Sequence, residues 1–145
     1  MTTVRQILQT KGSDRWWVDP DTMVFDALKL MAEKNVGALL VMRAERLVGI
    51  FSERDYARRM ILKGKHSKET LVREVMTENP ICVGPANTID ECMNLMTTNH
   101  IRHLPVLDEG DLRGIISIGD VVKSIILEQQ GTIIDLENYI TGGKR

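Results

Sequence analysis

Two seven-residue stretches carry the side chains best suited to chemistry: Gly49-Ile50-Phe51-Ser52-Glu53-Arg54-Asp55 and Gly114-Ile115-Ile116-Ser117-Ile118-Gly119-Asp120. In each, a glycine and apolar residues lead to a serine, and an aspartate follows three positions later. A strand that ends at a serine and turns into a helix leaves backbone N–H groups unpaired at the positive end of the helix dipole, which favours phosphate. Ser52 and Ser117 can bond phosphate or ribose, and Asp55 and Asp120 can accept two hydrogen bonds from a vicinal diol. The plainer reading makes the serines N-caps and the aspartates first-turn dipole partners. Recurrence of the pattern favours a ligand.

The two stretches differ in charge. Arg54, Arg58 and Arg59 accompany the first, whereas only Lys123 lies near the second. Arg54 is a candidate fork for phosphate, and Arg58 and Arg59 read as a solvated helix face. Arg102 and His103 stand where the first copy has Gly37-Ala38, so they are candidates for neutralising phosphate or for a structural hydrogen bond. His66, His100 and His103 form no H-x-x-x-H pair and have no cysteine at zinc spacing, so no metal is expected. G-x-S-x-G, S-x-x-K, Walker A and Rossmann glycine patterns are missing, and the aspartates suit diol binding over acid–base work; the expectation is not an enzyme.

Both stretches belong to a longer duplication. Residues 23–56 align without a gap on residues 88–121 at an offset of 65, with nine identities that include Leu30/Leu95, Met31/Met96, Leu39/Leu104, Gly49/Gly114, Ser52/Ser117 and Asp55/Asp120. Chance would supply about two or three. A duplicated unit tends to place related half-sites about a pseudo-twofold axis, so any site is expected between the halves. A further match, Val4–Leu8 on Val72–Met76, has an offset of 68.

The elements that must position these residues follow from periodicity. Val24, Ala27, Leu28 and Met31, and then Ile89, Cys92, Met93 and Met96, mark two amphipathic helices behind polar turns. Ala38–Met42 with Leu47–Phe51, and Leu104–Leu107 with Leu112–Ile118, read as paired strands, each followed by a helix starting near Glu53 or Gly119. Trp17-Val18 and Ile81-Cys82-Val83 read as short strands, with the tryptophans packing a core or an oligomer interface. The expected division is a first repeat at 1–65 with its N-terminal short helix, a second at 66–130, and a partly helical tail at 131–145.

With 145 residues and 43% hydrophobic content the chain fits one compact domain or two small units sharing a core. Nineteen basic against twenty acidic residues give no bulk field to gather polyanions, so nucleic acid is disfavoured. Cys82 and Cys92 read as small buried hydrophobes. No signal-peptide core or membrane-length apolar run occurs, and the expectation is a soluble cytoplasmic protein without a membrane partner.

The duplicated order, with V-x-x-A-L-x-L-M at Val24–Met31, V-M-T-E-N-P at Val75–Pro80, I-R-H-L-P-V-L at Ile101–Leu107 and the two G-h-x-S-x-x-D stretches, resembles the CBS domain pair, or Bateman module. The resemblance implies an α/β fold of tandem β-α-β-β-α repeats packed as a pseudo-twofold disc, with clefts for an adenosine ligand. AMP is the first choice, with ADP, ATP, NAD(H) and S-adenosylmethionine as further family ligands. It further implies that the adenine is held by the strands before the long helices, here around Val18 and Ile81, with Met76 and Thr77 at the entrance. Such modules commonly dimerise. The resulting reading is a stand-alone regulatory module that signals to a protein partner in trans, with Gly119–Ile140 as its docking element; the alternative is an assembly scaffold with a vestigial nucleotide site.

Overall fold

The structure, a computed structural model, describes residues 1–12 and 14–141. In chain order the elements are α1 (Val4–Lys11), β1 (Trp17–Val18), α2 (Val24–Lys34), β2 (Ala38–Arg43), β3 (Arg46–Ser52), α3 (Glu53–Asp55), α4 (Val72–Val75), β4 (Thr77–Glu78), α5 (Ile89–Asn99), β5 (His103–Asp108), β6 (Asp111–Ser117) and α6 (Ile118–Ile140). α2 and α5 end alike, on Asn35 and His100 in the left-handed conformation. β2 and β3 pair antiparallel with an irregularity between Val41 and Met42, and β5 and β6 repeat it between Val106 and Leu107.

The compact units cut across the repeats drawn at 1–65 and 66–130. One unit is Asp14–Ile81; the other joins the N-terminal residues up to 13 with the chain from Cys82 onward. The short leading helices have been exchanged. Val72 and Arg73 N–H donate to the carbonyls of Thr22 and Pro20, and Val24 N–H donates to Thr70, all within the first unit. In the other, Val4 and Arg5 donate to Asn87 and Pro85, and Ile89 donates to Thr2. These sets match position for position at the two sequence offsets. The orphan N–H groups of α1 and α4 are thereby satisfied by the turn ahead of the long helix in the same unit, α5 for α1 and α2 for α4.

The first unit has a four-stranded sheet ordered β1-β2-β3-β4, over a core that includes Val24, Met31, Leu39, Val41, Phe51, Met60 and Val75. The second has β5 and β6 over Val4, Ile7, Ile89, Cys92, Met96, Leu104, Val106 and Ile116. Cys92 is a buried hydrophobe as expected, and burial pushes its thiol up to about 11.

Four expectations need correction. Ile81–Val83 forms no strand; only Val83 makes an isolated parallel bridge, to Val106. Of the core or oligomer interface expected for the tryptophans, the core is ruled out: Trp17 points outward on an edge strand at 58% exposure, and Trp16 lies against solvent with the Lys34 ammonium 4.3 Å from its ring. The helix after Glu53 keeps α geometry for three residues, then widens into a π turn at Tyr56–Met60 and tightens into 3-10 geometry at Ile61–Lys63. The tail is no separate element: α6 runs unbroken for 23 residues to Ile140, and residues 142–145 lie outside the described ones.

Candidate functional site

Each serine and aspartate meet in a reciprocal cap. Ser52 N–H and Ser52 Oγ donate to Asp55 Oδ2 at 2.9 and 3.0 Å, and Asp55 N–H donates back to Ser52 Oγ at 3.2 Å. Ser117 N–H donates to Asp120 Oδ2 at 2.8 Å, and Asp120 N–H returns to Ser117 Oγ at 3.2 Å. The bend leading into each hairpin fixes the next residue. Glu53 N–H donates to Gly37 and Ile118 N–H to Arg102, again the same positions in the two copies. The plainer N-cap reading therefore describes part of what these residues do.

What surrounds the two aspartates differs. Asp55 is buried, and its Oδ1 accepts from Thr77 Oγ1 at 3.2 Å with Arg59 Nε 3.9 Å away. Arg59 is no merely solvated residue: its Nη1 donates to the Met76 carbonyl at 2.7 Å and to Val75 at 3.4 Å, tying the π turn to the end of α4. Asp120 instead faces Lys11, whose Nζ donates to Asp120 Oδ2 at 2.7 Å and to the Ile115 carbonyl at 2.9 Å. Burial opposes the charge on Asp120, but the Lys11 ammonium and the Ser117 N–H outweigh it and hold the carboxyl below its ordinary range.

Of the expected residues, Ser52, Asp55, Met76 and Thr77 come together in one unit, and Ser117, Asp120 and His103 in the other. His103 opens β5 directly opposite Ser117. Met76 and Thr77 pack under β3, where a Cβ on Gly49 would meet Met76 Sδ and the Thr77 carbonyl oxygen. Arg54 is half-buried in α3, Arg102 is exposed, Val18 is buried in β1 opposite Val41, and Ile81 is exposed at the end of its unit. Lys11 was not foreseen. Its signal lay in the offset of 68: that match aligns Gln9 with Thr77 and so sets the end of α1 beside Asp120 once the exchange is recognised.

His103 is half-buried, and burial, then the nearby Lys11 and Arg102 charges, hold its imidazole below the usual value against an opposing pull from Asp120. The unfolded chain therefore takes up this proton first as pH falls. The stability His103 contributes is complete above about pH 6.5 and is lost below it, whereas Asp120 contributes above about pH 3.9 and loses its share only below that. His103→Asn is expected to flatten the stability curve below pH 6.5 while leaving the acid limb in place, as followed by denaturant unfolding across pH. An unchanged slope would show that the folded-state imidazole titrates normally.

Among the described residues no group of three His, Cys, Asp or Glu could hold a metal, and no helix is long and apolar enough to cross a membrane. The CBS domain family model matches residues 4–62 and 72–127. Over 98% of its length this chain is 40% identical to the CBS domain-containing protein CBSX3, mitochondrial, of Arabidopsis thaliana, covering 73% of that protein. The solved structure of a protein with CBS domains from Burkholderia ambifaria MC40-6 is 51% identical, with a TM-score of 0.85 over 88% of this chain and 96% of that one. CBSX2 in complex with AMP is 27% identical, with a TM-score of 0.72 over 88% and 98%. The chain belongs to the CBS-domain family and carries two repeats of it.

Proposed function

We propose that this CBS pair is a non-catalytic regulatory module, located in the cytoplasm, that binds an adenosine nucleotide at its Ser–Asp turns and acts on a protein partner in trans. AMP is the leading ligand, with ADP, ATP and NAD(H) behind it. The observation that carries the reading is the twice-built turn, in which a carboxylate one turn from a serine faces a charged or hydroxylic neighbour; the AMP-bound relative supports the ligand class. An ionised carboxylate offers about four lone-pair sites, so the cap does not exhaust either aspartate. The adenine contacts assigned to Val18, Ile81, Met76 and Thr77, and the phosphate contacts assigned to Arg54, Arg102 and His103, belong to this proposal. The chain also forms a homodimer, through the exposed apolar face of α6.

A scaffold reading draws on one observation: both Ser–Asp pairs already have a structural use as helix caps. Thermal unfolding with AMP, ADP, ATP and NAD(H), on protein stripped of nucleotide, separates the two. A ligand at about 100 times its dissociation constant adds about 2.7 kcal/mol, a rise of several degrees. Asp55→Asn and Asp120→Asn keep a cap acceptor but weaken the diol contact, so loss of the rise in one variant identifies the occupied turn. No rise with any nucleotide overturns the regulatory reading in favour of the scaffold.

A further inference from the structure

We propose that Lys11 is a specificity-determining residue that makes the second Ser–Asp turn select nucleotides over nucleosides, a role that rests on the nucleotide reading of Asp120. The two aspartates are covered by unlike groups. Asp55 receives a neutral hydroxyl from Thr77 on β4, but Asp120 receives an ammonium at 2.7 Å from the end of α1. Lys11 also holds the Ile115 carbonyl at 2.9 Å, so it spans the strand and the first turn of α6. A ribose diol that takes both oxygens of Asp120 reaches Oδ2, which already accepts from Ser117 N–H and from Lys11, and there competes with this charge-assisted bond and displaces it.

The displaced ammonium has a defined place to go. Beside it, α1 and α6 enclose a groove of about 530 Å³ whose walls include Gln6, Thr10, Lys11, Asp120, Lys123 and Ser124. A phosphate in that groove meets Lys11 from one wall and Lys123 from the other, on a long flexible side chain suited to moving between two acceptors. For a nucleotide, the bond lost at Asp120 is replaced by one to phosphate. For a nucleoside it is lost outright. Lys11 thus penalises ligands that bring a diol without a phosphate, and Asp55, whose bonded neighbour is the Thr77 hydroxyl and whose cation, Arg59, stands off at 3.9 Å, imposes a weaker test.

The experiment is calorimetric titration of the full chain with AMP and with adenosine, comparing wild type with Lys11→Met, Lys11→Arg, Lys123→Met and Asp120→Asn. Lys11→Met should tighten adenosine and leave AMP near its wild-type affinity, so that the ratio of the two affinities falls by about tenfold, the size of one charge-assisted hydrogen bond. Lys11→Arg should restore most of the ratio, and Lys123→Met should weaken AMP alone. A merely structural Lys11 would move both ligands together. If Asp120→Asn weakens both ligands while Lys11→Met leaves their ratio unchanged, the role of Lys11 is overturned and the Asp120 site stands. If Asp120→Asn changes neither ligand, the Asp120 reading fails, and the Lys11 proposal with it.

Discussion

Gly49→Ala is expected to lower the unfolding midpoint of its unit by about 10 °C, through about 2 kcal/mol of overpacking, whereas Gly114→Ala should cost less than about half of that. The positions are equivalent in sequence but not in surroundings. A Cβ on Gly49 would lie 2.7 Å from Met76 Sδ and 2.8 Å from the Thr77 carbonyl oxygen, and the second of these is backbone held in β4. β4 is fixed by its pairing of Glu78 with Gly49 and Thr77 with Ile50, so it can yield only by leaving the sheet. At Gly114 the nearest atom is Leu8 Cδ2 at 3.0 Å, the tip of a side chain that can turn away. Pushing β4 outward also draws Thr77 Oγ1 off Asp55. A nucleotide response that depends on Asp55 should weaken in Gly49→Ala and survive in Gly114→Ala. Equal losses of stability at the two glycines, measured by differential scanning fluorimetry, would show that β4 accommodates the methyl.

The contrast between these glycines also marks how far the sequence could be read. The offset of 65 made the hairpins, the long helices and both Ser–Asp turns legible, because each depends on neighbours within about 30 residues and on a periodicity of 2 or 3.6. The leading helices were legible as elements but not in their placement. Val4–Leu8 and Val72–Met76 carry the same short pattern, and nothing local says that each packs in the unit of the other repeat. Everything that follows from the exchange was therefore hidden, above all the Lys11–Asp120 contact across 109 positions. The choice between core and surface for Trp17 stayed open because a two-residue edge strand has too few positions to show an alternation. The π turn at Tyr56–Met60 has no periodic signature of its own; within it Arg59 reaches back to the Val75 and Met76 carbonyls at the end of α4 while Met60 stays in the core. Sites built from one turn could be foreseen, and sites completed by a distant element could not.

Ending the chain after Gln130 is expected to weaken the proposed homodimer by at least about a hundredfold, the equivalent of about 2.7 kcal/mol. α6 carries Val122, Ile126, Gln129, Ile133, Leu136 and Ile140 at alternating spacings of four and three, the seam of a helix that packs lengthwise on another helix. The apolar members of that seam are 41–79% exposed within the chain. An isolated helix of this kind is poorly self-supporting. Gly131 sits in its interior at a cost of about 1 kcal/mol relative to alanine. The last turn also has no basic residue to complement the dipole. Packing of the apolar face must supply what propensity does not. Each Ile or Leu fully buried contributes about 1.5–3 kcal/mol, and side chains already half covered contribute less. Losing three seam residues from each of two copies still outweighs the stated loss after the cost of ordering. The truncation spares the unit itself, since Val121 and Ile125 pack into its core, Glu128 accepts from Thr2, and the bonds of Thr132 and Thr141 run within the helix. Sedimentation velocity over two decades of protein concentration gives the answer. A truncated chain that sediments as a monomer where the full chain is dimeric establishes α6 as the contact. A truncated chain that stays dimeric removes α6 from the interface and leaves its apolar seam to the partner in trans.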